Sequence, residues 1–247
     1  QFSTNAEKAG ATVYFAKDAA EANDIAKEIF KTKNAKKAVK SKSMVTEEIS
    51  LNEALEDMGV DVIETDLGEF LLQIDDNDKP SHIVVPALHK GRERFREVLA
   101  EKQGYEGSDN PEEMTRFVRG VLRKAFLEAD IGITGCNFGI AESGSIALMT
   151  NEGNGRFVTT LPKTQIVFMG MERLVPGFKE LDIMFSMLAR SAVGARASVY
   201  QSIITGPRAQ DDLDGPEELH IIIIDNGRSK VLASDFKSVL RSIRCGT

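Results

Sequence analysis

Apolar residues recur every three to four positions in several stretches of the chain, which predicts amphipathic helices. The first begins at Asp18, three residues before a glutamate, which is the spacing of a capping box. Ser50 and Glu53 form a second such box, and Asn110 followed by Pro111 gives a third helix start. We predict helices over residues 18–30, 50–59, about 91–101, 110 to about 130, about 178–190, and from 234 onward.

Short apolar runs bounded by glycine, proline or polar turns predict strands between these helices. The runs between residues 131 and 169 favour a meander or a mixed sheet. Because no repeat or low-complexity linker interrupts the alternation, we expect one α/β domain with a layered mixed sheet and flanking helices, rather than two domains. The predicted strands are 38–41, 61–64, 70–74, 82–85, 131–135, 145–149, 157–160, 166–169, 198–204 and 220–225.

Composition excludes several classes of protein. The 247 residues carry a formal net charge of −7, so the chain lacks the basic excess of nucleic-acid-binding proteins. No apolar run approaches the roughly 18 residues of a membrane span. Cys136 and Cys245 are too far apart in sequence for a paired zinc motif or a disulfide framework, which favours a reducing, cytoplasmic compartment. Three histidines without ligand spacing predict no metal site.

The glycine-rich segment 132–145 carries the densest candidate chemistry. Glycines let backbone N–H groups approach an anion, and within this segment Glu142 is a candidate base or nucleophile. Asn137 is a candidate group for stabilising negative charge. The spacing matches neither G-x-G-x-x-G nor a P-loop, which excludes a nucleotide fingerprint. A glycine-rich sheet with tight turns explains the same composition without a ligand, so both interpretations remain open.

Further candidate residues follow predicted strands. His89 stands where a strand gives way to a helix, and it is the second candidate catalytic residue beside Glu142, although a lone histidine is more often structural. The carboxyl ends of strands border the ligand crevice in open α/β sheets, so we expect these side chains to share one cleft for a small anionic carboxylate or phosphate. A solvated lysine patch and a hairpin turn at Asn154 are the alternatives. The candidate ligand-binding residues are Lys40, Lys42, Asn137, Asn151, Glu152 and Arg156.

Six segments resemble, in order along the chain, a known family. They are KSKSM at 40–44, PALHK at 86–90, GITGCN at 132–137, AESGS at 141–145, NEGNGR at 151–156 and LP at 161–162. Together they are similar to the lactate-utilisation (LUD) domain, specifically that of the lactate-utilisation protein B family of iron–sulfur proteins. The resemblance extends from about residue 16 to residue 247.

The resemblance implies a fold similar to the NagB/RpiA/CoA-transferase-like group. It divides the chain into an N-terminal helical segment (1–35), a LUD-like α/β domain (36–233) and a C-terminal helix (234–247) that leads to an iron–sulfur domain. It also implies that Cys245 is the first ligand of a ferredoxin-type [4Fe–4S] cluster in the full-length protein. A cluster of this kind needs four ligands, so we expect no cofactor in the present chain.

The function implied by the resemblance is participation in the oxidation of L-lactate to pyruvate. The chain would be part of an electron-transfer subunit that works beside two other lactate-utilisation subunits and has no complete catalytic apparatus of its own. A second hypothesis is a stand-alone isomerase or CoA-transferase that acts on a small anionic substrate through Glu142. A third is an interaction scaffold with a vestigial cleft.

Overall fold

Two β-sheets with helices packed against them form the protein, whose computed structural model describes residues 1–81 and 85–242. The strands are β1 Thr12–Ala16, β2 Lys37–Lys40, β3 Asp61–Glu64, β4 Ile131–Thr134, β5 Phe138–Ile140, β6 Ser145–Thr150, β7 Thr164–Gly170, β8 Leu174–Val175, β9 Tyr200–Ile204 and β10 Glu218–Ile224. The helices are α1 Phe2–Lys8, α2 Ala19–Lys33, α3 Met44–Glu48, α4 Leu51–Glu56, α5 Leu67–Ile74, α6 Arg92–Gln103, α7 Pro111–Glu128, α8 Asn154–Thr160, α9 Phe178–Val193 and α10 Arg228–Leu232, with 3₁₀ turns at Met171–Arg173 and Lys237–Arg241.

The larger sheet has six parallel strands in the order β1-β10-β7-β4-β2-β3. Its interior strands β7 and β10 are apolar over most of their length because both faces are covered, one by α2 and the other by α1 and the smaller sheet. Successive residues of a strand point to opposite faces. Ala38 therefore packs in the core beneath α2 and α4, while Val39 packs in the core beneath α5, α6 and α7.

The smaller sheet has four strands in the order β8-β5-β6-β9. It is mixed, because β5 pairs antiparallel with β6 and parallel with β8. Helix α9 covers it, with Phe185 packed 6.0 Å from Phe138 between ring centroids. The predicted α/β fold with flanking helices is confirmed. The strands between residues 131 and 169, however, are divided between the parallel sheet and this mixed sheet.

Local capping signals account for the helices that the sequence predicts best. Asp18 accepts a hydrogen bond from Glu21 N at 2.9 Å, and the Asn110 side chain accepts from the first turn of α7, with Pro111 as its first residue. Ser50 does not cap α4 through its side chain. Its backbone is left-handed, with φ of +50°, which prevents the cap geometry that the capping box requires.

Two predicted strands are helices in the structure. The run 70–74 belongs to α5 and the run 157–160 to α8, because a short apolar run fits a buried helix face as well as a strand. In place of the helix expected from residue 234, the described residues form a 3₁₀ turn over Lys237–Arg241, and residues 243–247 lie outside the described residues. Residues 82–84 of the predicted strand 82–85 lie outside the described residues.

The first 35 residues are not only helical. Strand β1 pairs with β10 from Thr12–His220 to Ala16–Ile224 and forms one edge of the six-stranded sheet. The segment expected to be helical therefore also contributes an edge strand to the six-stranded sheet.

Candidate functional site

A cavity of about 290 Å³ lies at the carboxyl end of the six-stranded sheet, against the smaller sheet. This is the edge at which open α/β sheets place their ligands, since the loops that follow parallel strands converge there. Loops after β2, β3, β4, β6 and β7 contribute, together with the start of α10. Its polar and charged lining residues include Ser41, Lys42, Ser43, Asp66, Asn137, Asn151, Glu152, Glu172, Arg173 and Arg228.

The lining of this cavity carries both cationic and acidic side chains. Lys42 Nζ lies 3.4 Å from Asp66 Oδ2, and the lysine side chain keeps 26% of its surface exposed. Arg228 is nearly buried and donates to both carboxylate oxygens of Glu48 at 2.9 Å and to Glu172 at 2.5 Å. The cavity lining therefore includes the cations Lys42 and Arg228, each of which is paired with carboxylates, Arg228 in bidentate fashion.

Two glycines allow the strand ends to come close at this edge. A Cβ atom at Gly135 would lie 2.6 Å from Ser43 Oγ, and one at Gly170 would lie 2.2 Å from Glu172 Oε2. Neither glycine has a positive φ, so the requirement is space for neighbouring side chains rather than backbone strain.

Lys40 lies below the cavity rather than in it. It is buried and pairs with Glu64, and Asn52 Nδ2 donates to Glu64 Oε1 at 2.8 Å. Glu64 Oε2 is buried with no hydrogen-bond partner in the described part of the chain. Burial, and after it the negative charges of Glu47 and Glu64, raise the pKa of the neighbouring Glu69 to about 7.

Of the residues predicted to bind a ligand, Lys42, Asn137, Asn151 and Glu152 line this cavity. The Asn137 amide oxygen accepts from Met149 N at 2.8 Å, which fixes the orientation of the amide and of its Nδ2 donor. Four residues from three separate loops are thus brought together, as the strand-end argument expects.

Arg156 lies outside the lining of the cavity. Its guanidinium stands over the Tyr200 ring, with Cζ 5.0 Å from the ring centroid. This contact is a cation–π interaction between α8 and the edge strand β9.

Glu142 and His89 are not brought to the cavity. Glu142 accepts from Phe178 N at 2.9 Å and so caps the start of α9. His89 lies in the loop before α6, where its ring nitrogens contact Ser81 Oγ at 2.8 Å and Asp78 Oδ2 at 3.1 Å. The expected convergence of both residues with the ligand-binding set is wrong, because each is bonded to a different neighbouring element.

Sequence reasoning missed Asp66, Glu172, Arg173 and Arg228 at the cavity. Asp66 had a signal, since its spacing to Glu69 is that of a capping box and Glu69 N donates to it at 3.1 Å. Glu172 and Arg173 directly follow β7, so the strand-end argument applies to them as well. Arg228 has no local signal, because Glu48 is 180 residues away in sequence.

The described residues do not fit an iron–sulfur cluster. They contain no group of three or more histidine, cysteine or acidic side chains placed to hold a metal ion. Burial raises the pKa of the Cys136 thiol to about 12, so this side chain is a neutral thiol rather than the thiolate that a cluster binds. Cys245 lies outside the described residues.

No helix in the described ranges combines the length and the apolar character that crossing a bilayer requires.

The chain is similar in sequence to a family of known proteins. The LUD domain model matches residues 1–224. Proteins named lactate utilization protein B are 61% identical in Shouchella clausii and 58% identical in Bacillus subtilis, each over 99% of this chain. The matches cover 52% and 51% of those proteins, so the chain spans about half the length of the curated relatives it matches.

A solved structure shares the fold. It is that of a DUF162 family protein from Deinococcus radiodurans, with a TM-score of 0.50 and 15% identity, covering 90% of this chain and 93% of that one. At this level of identity the similarity supports the α/β architecture only.

Proposed function

The chain belongs to the LUD-domain family, and we propose that it is the domain of a lactate-utilisation protein that binds a small carboxylate. The longer protein would take part in the oxidation of L-lactate to pyruvate as an iron–sulfur electron-transfer subunit. Relatives at about 60% identity carry the name lactate utilization protein B, which supports the metabolic assignment. We assign the [4Fe–4S] clusters, with Cys245 as first ligand, and the two partner subunits to the longer protein.

The observation that carries the proposal is the cavity at the carboxyl end of the parallel sheet. Its Lys42 side chain lines the cavity beside Asp66 and keeps 26% of its surface exposed, so its ammonium can contact a ligand carboxylate. Asn137 and Asn151 add amide groups to the lining of the same cavity. Cationic and amide donors around one space suit a small carboxylate.

The hypothesis of a stand-alone enzyme acting through Glu142 gains no support from this arrangement. Its carboxylate is bonded to the backbone at the start of α9, away from the cavity. A nucleophile or base needs access to the ligand, and the cap leaves Glu142 on another element.

Calorimetric titration with L-lactate, pyruvate and the neutral analogue lactamide tests the proposal. We expect binding of the two carboxylates and none of lactamide. Lys42→Met should weaken carboxylate binding at least about tenfold, which corresponds to roughly 1.4 kcal/mol. Lys124→Met is the matched control, because Lys124 is 77% exposed on α7 and outside the cavity. Absence of carboxylate binding, or equal loss in both variants, would overturn the proposal.

A further inference from the structure

Carboxylates outnumber ammonium groups where β2 and β3 end. Two lysines, Lys40 and Lys42, stand among four acidic side chains that come from α3, β3, and the start of α5. These are Glu47, Glu64, Asp66 and Glu69. The cluster therefore carries an excess of negative charge when all four carboxylates are ionised.

Burial raises the free-energy cost of this excess of negative charge. Lys40 and Glu64 are almost fully buried, and both Lys40 and Asn52 donate to the same oxygen of Glu64. The second oxygen, Oε2, is buried without a hydrogen-bond partner among the described residues. Lys40 also favours ionisation of Glu47 and Glu69, so one buried ammonium is shared among three carboxylates.

Glu69 is the member of the cluster that holds a proton most readily. It lies half-buried in the first turn of α5, where Glu47 of α3, Glu64 of β3 and Asp66 oppose its ionisation and Lys40 of β2 favours it. With a pKa of about 7, Glu69 is protonated in about half of the molecules at neutral pH.

Asp66 connects this cluster to the cavity. Its Oδ2 faces Lys42 Nζ at 3.4 Å, and its Oδ1 accepts from Glu69 N at 3.1 Å. An anion that pairs with Lys42 weakens the attraction between Lys42 and the Asp66 carboxylate. It also adds negative charge to a cluster in which carboxylates already outnumber ammonium groups. Both effects favour the protonated form of Glu69.

We propose that binding of a small anion in the cavity is coupled to proton uptake by Glu69. This inference rests on the proposed function, because it requires an anion at Lys42. Linkage fixes the direction: an anion that binds with proton uptake binds more tightly as the pH falls. If the bound anion raises the Glu69 pKa by about one unit, affinity increases about fivefold from pH 8 to pH 6, and about 0.4 proton is taken up at pH 7.

Titration calorimetry with pyruvate tests the coupling, because pyruvate does not itself titrate in this pH range. Measurements at pH 7 in Mops and in Tris, which differ in ionisation enthalpy, give the number of protons taken up. We expect proton uptake in the natural chain and none in Glu69→Gln, which should still bind pyruvate because glutamine mimics the protonated acid. Glu93→Gln, at an exposed position on α6, is the matched control and should leave the uptake unchanged.

The outcomes separate the two proposals. Failure of the natural chain to bind pyruvate would overturn the proposed function and this inference with it. Binding without proton uptake and with an affinity independent of pH between 6 and 8 would overturn this inference alone. Equal proton uptake in the natural chain and in Glu69→Gln would also overturn it. The pH dependence of the natural chain's affinity needs no variant, so the test survives a variant that fails to fold.

Discussion

Each end of α5 carries a cluster of acidic and basic side chains, and a carboxylate in each cluster has a shifted pKa, in opposite directions at the two ends. At its N-terminal end, Glu69 belongs to the cluster around the buried Lys40. At its C-terminal end, Asp75 lies beside Lys90 and Arg94. The pKa of Glu69 is raised by burial, whereas hydrogen bonds from Arg94 and Lys90 lower the pKa of Asp75.

The helix dipole alone would shift the two pKa values the other way, lowering that of Glu69 and raising that of Asp75. It favours a carboxylate at the N-terminus and disfavours one at the C-terminus by about 0.3–1 kcal/mol. At the C-terminal end, however, Asp75 and Asp78 are matched by Lys90 and Arg94, so charge is balanced. At the other end burial raises the pKa of Glu69 and carboxylates are in excess. Asp75 is buried as well, so the hydrogen bonds from its neighbouring cations, rather than burial or the dipole, decide the direction of its pKa shift.

Removing the central lysine from each cluster gives the largest expected difference. Lys40→Met should lower the free energy of unfolding by about 3–5 kcal/mol, because it leaves Glu64 buried and charged without its partner. Lys90→Met should cost less, about 1–2 kcal/mol, because Arg94 still donates to the buried Asp75 carboxylate. Urea unfolding at pH 7, followed by circular dichroism, measures both. Similar losses would show that the remaining cation does not protect the second cluster.

Glu69→Gln gives an intermediate effect that depends on pH. Since the folded-state pKa of Glu69 is raised from 4.5 to about 7, its contribution to stability is fully present below about pH 4.5 and is lost as the pH rises through 7. The variant should therefore be more stable than the natural chain at pH 8, by about 1–3 kcal/mol after allowance for solvent screening of this half-buried group, and equally stable near pH 4. Thermal unfolding across this range checks the prediction, and a constant difference at every pH would contradict it.

Asp78→Asn should give the smallest effect, with the opposite pH dependence. Hydrogen bonds from Lys90 and His89 lower the pKa of Asp78, so its contribution to stability is present above the ordinary pKa of 3.8 and is lost in acid. The variant should be slightly less stable than the natural chain between pH 6 and 8, and the difference should disappear during acid unfolding. A difference that grows as the pH rises above 7 would contradict this assignment.

The same helix shows what could and could not be predicted from the sequence. Residues 70–74 were expected to form a strand, because a short apolar run does not distinguish a strand from a buried helix face. The spacing of Asp66 and Glu69 predicts a helix start, and this local signal outweighs the apolar run. Helix α7 was predicted correctly because Asn110 and Pro111 determine its start through neighbouring atoms only.

For the candidate site, the strand-end argument placed Lys42, Asn137, Asn151 and Glu152 at one cavity. The glycine density around Glu142 was less informative. A Cβ atom at Gly144 would lie 2.1 Å from Ala6 N, so this glycine is required by packing against α1. Such a contact joins residues far apart in sequence, and no local pattern indicates it.

The pairing of β1 with β10 has a consequence for synthesis on the ribosome. Tyr14 in β1 contacts His220 in β10, 206 residues later, and β1 pairs with no other strand among the described residues. At roughly 5–20 residues per second, about 10–40 s pass before the partner of β1 has been made. During that interval the nascent chain exposes the unpaired strand β1, and after residue 170 it also exposes the open edge of β7. Chaperones that bind extended apolar segments would therefore find a target in β1 until β10 has been made.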